Sequence, residues 1–171
     1  MGAALRTAQL ASERVVQAYP LIREVAPNLS LAEWVDFARP LSGQKGETGG
    51  CRGIIIAERS RYIRGLFIYE VNPELSHGRT LFARNIIVLD LVQRDAVAEA
   101  LVDAMERLAQ THGCGAVHVH LSPLSEWALQ CFERRGHRVQ GYHLCSRLEE
   151  HEPIQRQHKG ASARPTPRRV C

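Results

Sequence analysis

The sequence predicts an α+β fold: a twisted, mostly antiparallel sheet with one parallel strand–helix–strand unit, flanked by helices. Three observations carry this. Strand-like runs at residues 51–57, 63–71 and 81–91 follow one another with only short polar breaks, at 58–61 and 72–78, as an antiparallel meander does. A long amphipathic helix, 94–112, then separates the third run from a further strand, 117–121, and a right-handed crossover of that kind sets two strands parallel. Within the third run, Ile86-Ile87-Val88-Leu89 is apolar without alternation, which suits a central strand covered on both faces.

The remaining elements fall into order around that unit. From 8 to 25, Leu10, Val15, Ala18, Ile22 and Val25 favour one side of a helix that Pro27 stops. Ser30 caps a second, short helix, 31–38, with Glu33 in the position that completes a capping box and Pro40 beyond its end. Residues 41–50, rich in Gly, Ser and Thr, read as a loop. The long helix carries Val97, Leu101, Met105 and Leu108 on one stripe and Glu99, Asp103, Glu106 and Gln110 on the other, and Gly113 and Gly115 end it. Val117, Val119 and Leu121 then alternate with His118, His120 and Ser122. A helix over 125–135 closes at Gly136, and a last strand covers 137–148. Beyond 149 almost nothing is apolar, so a single domain over 1–148 and a disordered polar tail over 149–171 are expected.

Composition narrows the classes of function. At 171 residues, 44% hydrophobic and 23% charged, the chain fits one well-filled globular core. No run approaches the roughly 18 apolar residues of a membrane span, and the first ten residues lack the pattern of a secretion signal, so a cytoplasmic protein without a membrane partner is expected. The five cysteines are odd in number, widely spaced and without a Cys-x-x-Cys pair, which argues for buried thiols over disulfides or a zinc site. The net charge of +4 owes much to Arg164, Arg168 and Arg169 near the end, and no basic helix points to nucleic acid.

Chemistry concentrates where the third strand runs into the long helix. The first N–H groups of a helix have no intrahelical partner, and the helix dipole adds partial positive charge, so such a junction attracts anions. The segment Asp90-Leu91-Val92-Gln93-Arg94-Asp95-Ala96-Val97-Ala98 has neither a Gly-x-Gly-x-x-Gly nor a Walker lysine, which excludes dinucleotide and NTPase phosphate loops. Gln93-x-x-Ala96-x-Ala98 instead resembles the central motif of the GNAT N-acetyltransferase superfamily: Gln or Arg, two free residues, Gly, one free residue, then Gly or Ala, after an apolar strand. Downstream, Ser125-x-x-Ala128-x-x-x-Phe132-x-x-x-Gly136-His137 resembles the family's Asn-x-x-Ala-x-x-x-Tyr-x-x-x-Gly-Phe without gaps.

The resemblance, which spans about residues 8–148, implies an acetyl-CoA-dependent N-acetyltransferase. It implies that the loop and first turn, Gln93, Arg94, Asp95, Ala96, Val97 and Ala98, hold the pyrophosphate of acetyl-CoA, that Val88 offers backbone contacts to the pantetheine arm, and that Phe132 lies beside the cofactor. It leaves the acceptor as a small-molecule or peptide amine, whose surface would come from the first two helices and the loops near 43–50 and 72–78, and it is compatible with a homodimer.

Departures from the pattern set further expectations. Ala96 adds a methyl where the motif has its first glycine, although alanine adopts helical dihedrals without strain. Phe132 stands where the family commonly has the tyrosine that protonates the leaving thiolate, and a phenyl ring has no proton to give. Where a Glu often serves as base, the chain has Arg84 and Asn85, of which Asn85 can orient a water. A lysine-like amine with pKa about 10.4 must lose a proton before it attacks, so a base is needed. His120, near the end of the strand expected to splay from Leu89, is the replacement the sequence offers, and Tyr142 on the last strand is a substitute proton donor. The alternative is a catalytically weak or inactive GNAT-like module that binds CoA or another ligand. His118 and His120 share a strand face and His143 falls on a neighbouring strand, but no Asp, Glu or Cys stands at ligand spacing beside them, so no metal is expected.

Overall fold

In a computed structural model, which describes residues 4–43, 52–90, 92–121, 126–141 and 144, backbone pairing begins earlier than the apolar pattern does. Arg6–Gln9 (β1) pairs antiparallel with Arg52–Arg59 (β2), Arg6 opposite Glu58 and Gln9 opposite Ile55. The helix expected over 8–25 therefore starts later: a 3-10 turn, Ser12–Arg14, leads into α1, Val15–Val25. Arg6, Ala8 and Gln9 are exposed, so β1 holds the sheet edge through its backbone and needs no apolar alternation. That is why residues 8 and 9 carried no strand signal.

The second helix, Leu31–Ala38 (α2), has the expected bounds and cap. Ser30 Oγ accepts the N–H of Glu33 at 3.3 Å, and Glu33 Oε2 accepts the N–H of Ser30 at 2.8 Å. Buried Trp34 donates its indole N–H to Val15 O at 2.8 Å, which locks α2 to the first turn of α1. Of the loop expected over 41–50, residues from 44 onward lie outside the described residues.

β2 turns into Tyr62–Glu74 (β3) through Ser60 and Arg61, both left-handed at φ 52 and 67, a pair whose twist matches that of the flanking strands. β3 and Gly78–Val88 (β4) extend beyond the expected strand ends on the hairpin side, pairing Asn72 with Thr80, Pro73 with Arg79 and Glu74 with Gly78, whereas β4 stops at Val88 and residues 89 and 90 of the expected run 81–91 are not strand. The expected loop 72–78 thus shrinks to a hairpin turn over 75–77. Arg94–Thr111 (α3) crosses to Ala116–Val119 (β5), which lies parallel to β4 as expected. Gly113 ends α3 at φ 63, and Gly136 ends Glu126–Arg134 (α4) at φ 90. The strand expected over 137–148 is absent over 137–141; most of its remainder, including Tyr142 and His143, lies outside the described residues.

The sheet order is β1-β2-β3-β4-β5, antiparallel except for the last pair. Its two faces are covered by different helices. Ile54, Ile56, Leu66 and Ile87 pack with Val15, Ala18, Ile22 and Trp34 of α1 and α2. Ile55, Phe67, Leu81 and Ile86 pack with Val97, Leu101, Met105 and Phe132 of α3 and α4. Ile86 and Ile87 thus enter opposite layers, which is what the uninterrupted apolar run required. All of these elements lie in one compact unit, Met1–Arg138; Val139–Cys171 forms a second, described only at 139–141 and 144. No described helix is long and apolar enough to cross a membrane.

Candidate active site at the fork between two parallel strands

β4 keeps its parallel partner for only part of its length. The ladder runs from Thr80 opposite Ala116 to Ala83 opposite Val119, and the N–H of His120 donates to Ala83 O at 2.8 Å. From Arg84 to Val88, β4 pairs among the described residues only with β3. A defect in β4 coincides with the end of pairing. Between Ile68 opposite Arg84 and Leu66 opposite Ile87, three steps along β4 match two along β3, which is a β-bulge with Asn85 at φ 52. Asn tolerates that left-handed conformation better than most residues. A bulge bends its strand and increases its twist, so β4 leaves the fork with one edge that has no ladder partner among the described residues.

The same strand leads into the N-terminus of α3. Asp90 Oδ1 accepts the N–H of Val92 at 3.1 Å and of Gln93 at 2.9 Å, turning the chain into the helix. Those bonds, the Gln93 one foremost, hold the Asp90 carboxyl below its ordinary pKa against the opposing effect of desolvation, and the Arg64 and Arg59 guanidiniums add to them. No side chain among the described residues caps α3, so the N–H groups of Arg94, Asp95 and Ala96 begin a helix of 18 residues without a capping partner. The Arg94 guanidinium stacks over the Trp127 ring of α4 at 5.1 Å and adds full positive charge to the dipole of the helix end.

The expected phosphate-binding residues divide at this point. Gln93, Arg94, Asp95 and Ala96 are exposed, and the Ala96 methyl sits on an open first turn. Val97 and Ala98 are buried, at 0% and 3% exposure, and the Val97 N–H donates to Gln93 O. Their geometry gives them the task of seating the first turn on the sheet, with no free group directed outward. Val88, opposite Gly65, lies on the stretch of β4 past the end of the β5 ladder.

The residues considered for proton transfer are spread around the fork. His120 is exposed one residue past β5, where pairing stops. Asn85 is exposed on the bulge. Phe132 is 3% exposed, enclosed between α3 and α4 with its ring edge-on to His137 at 5.1 Å. Tyr142 lies outside the described residues. Arg135 bridges α4 to α3 through Glu106 and Asp103, and burial raises the pKa of the neighbouring Cys131 thiol, which marks it as a packing residue.

The solved structures similar to this chain include several acetyltransferases. One is an aminoglycoside N-acetyltransferase in complex with CoA, at TM-score 0.73 and 14% identity over 87% of this chain and 97% of that one. Another is a ribosomal-protein-alanine N-acetyltransferase from Brucella melitensis biovar Abortus 2308, at TM-score 0.64 and 17% identity over 84% and 99%. This chain has the GNAT fold. A transcriptional regulator from Bacillus halodurans C-125 shares it at TM-score 0.71 and 13% identity over 84% and 99%, so the GNAT fold by itself does not specify an acceptor. No family model matches the chain, and no curated protein matches it in sequence.

Within the GNAT fold, two contributors escaped the sequence reading. Asp90 was visible only as one residue of the junction; its signal was an Asx-turn aspartate just ahead of the helix. Trp127 carries no motif signal, because its contact with Arg94 joins two helices distant in sequence.

Proposed function

We propose that this protein is an acetyl-CoA-dependent N-acetyltransferase acting on a small-molecule or peptide amine. One observation carries the reading: the edge of β4 over 84–88, which has no ladder partner among the described residues, and the uncapped first turn of α3 at 94–96 follow each other along the chain, a strand edge beside a helix N-terminus suited to an anion. An extended pantetheine arm with its amide groups suits the first, by adding to the sheet edge as a peptide strand would, and a pyrophosphate suits the second. Ala96 is compatible with this because it contributes a helical N–H from an exposed position.

In the reaction the acceptor nitrogen forms a bond to the acetyl carbonyl carbon, the carbon–sulfur bond breaks, and the pair of electrons leaves with the CoA sulfur. His120, at the mouth of the fork, takes the proton from the attacking nitrogen. The thiolate takes its proton from solvent or from Tyr142, since Phe132 offers none. A thiolate leaves without much help, so positioning supplies most of the acceleration. No metal takes part in this scheme.

The experiment offers the purified chain acetyl-CoA with a panel of amines and follows free thiol, alongside thermal melting with CoA. Turnover with at least one amine, lowered about a hundredfold in His120→Gln, supports the transferase. A raised Tm without turnover assigns the chain to the binding-module alternative, and no effect of CoA on either readout removes both.

A further inference from the structure

The β3–β4 hairpin turn brings Glu74 and His77 up to His118 of β5, a third donor that is distant in sequence. Glu74, His77 and His118 each offer one ligand atom, and these atoms lie within 4.8 Å of one another. His77 Nδ1 is 3.0 Å from Glu74 Oε2. That pair alone would be an ordinary turn interaction. His118 adds the third donor from β5, across the parallel ladder, where it stands opposite Phe82.

The positions are held by more than the three side chains. Glu74 Oε2 accepts the N–H of Ser76 at 3.0 Å and of His77 at 2.9 Å, so the backbone of the turn orients the carboxylate. The His118 ring is set edge-on to Phe82 at 5.2 Å and to His77 at 5.5 Å. Gly115, just before β5, donates its N–H to Arg79 O at 2.7 Å. A Cβ on Gly115 would come within 2.5 Å of His77 O, so only glycine lets the hairpin turn settle onto the start of β5.

We propose that Glu74, His77 and His118 form a binding site for a borderline divalent cation of the Zn2+ class. Two imidazoles and one carboxylate suit zinc, with water completing a tetrahedron. Ligand atoms about 2.0–2.1 Å from a tetrahedral ion lie roughly 3.3 Å apart, and the donor atoms here all lie within 4.8 Å of one another, so side-chain rotation of at most about 1.5 Å for any pair closes the site. The expectation of no metal rested on His118 and His120 lacking a third donor at sequence spacing. In space His120 is not a member, and the hairpin supplies Glu74 and His77 in its stead. A bound ion would clip the hairpin to β5, on the same strand pair whose far end opens into the fork.

The test is direct titration of the metal-freed full chain with Zn2+, read by calorimetry and by thermal melting. One high-affinity equivalent is expected, with a Tm that climbs as free Zn2+ rises. His118→Gln, Glu74→Gln and His77→Ala should each weaken binding at least about tenfold, while Leu75→Ala on the same turn should not. His77 is exposed, so its variant reads binding even where a strand substitution fails to fold. The absorption of the Co2+ form should lack a thiolate charge-transfer band. Zn2+ binding unchanged in His77→Ala, such a band, or no stoichiometric binding would overturn the site.

Discussion

Asp90 Oδ1 accepts the backbone N–H of Gln93 at 2.9 Å, so a side chain at the end of the central strand bends the chain into the helix that should hold an anion. The carboxylate is only 10% exposed, with Arg59 3.8 Å away. Under the proposed function, phosphate recognition at α3 would depend on a carboxylate whose Oδ1 is already engaged by the N–H groups of Val92 and Gln93.

Asp90→Ala should destabilise the protein by about 1 kcal/mol at neutral pH, in the range of a lost helix cap, and weaken CoA binding. Asp90→Asn keeps the shape and removes the charge. Because folding lowers the pKa of Asp90, its contribution is complete above the ordinary aspartate value and is lost as the pH falls through the acid range. The stability gap between wild type and Asp90→Asn, measured by urea unfolding, should therefore narrow as the pH drops from about 6 towards 3.

Ala96→Asp should separate fold from function. An acidic side chain in the exposed first turn favours the helix by about 0.3–1 kcal/mol but meets a pyrophosphate with like charge. Tm should hold or rise while CoA affinity falls about tenfold or more. Equal CoA affinity in wild type and variant would argue against the α3 N-terminus as the phosphate site.

Asn85→Gly asks what the bulge needs. Glycine adopts φ 52 freely, so the bulge should persist and Tm should change little. Turnover should drop several-fold if the Asn85 amide orients a water near the reacting nitrogen, and Asn85→Val, β-branched at a left-handed position, should cost about 1–2 kcal/mol of stability.

Gly65→Ala should be among the most damaging small substitutions. The added Cβ would lie 2.8 Å from Ile87 O, 3.0 Å from Val97 and 3.1 Å from Leu101, between β4 and the helix it supports. A loss of about 1–3 kcal/mol is expected, with a fall in CoA affinity because Val97 seats the first turn of α3. Chemical denaturation paired with CoA titration reads both.

By itself the sequence determined the elements whose signals are local. The capping box at Ser30 and Glu33, the stripe of α3, the glycines at 113 and 136 and the two-sided burial of Ile86 and Ile87 follow from periodicity and caps, which depend on neighbours a few residues away. The strand–helix junction at 90–98 was legible for the same reason. Only the tertiary structure decided the rest. β1 is a strand because β2 offers an edge, the fork exists because a bulge at Asn85 coincides with the end of the β5 ladder, and Glu74 and His77 meet His118 because Gly115 lets a hairpin turn rest on a distant strand. Pairings of that kind are chosen by long-range backbone hydrogen bonds and close packing, which leave no periodic mark on the residues that make them.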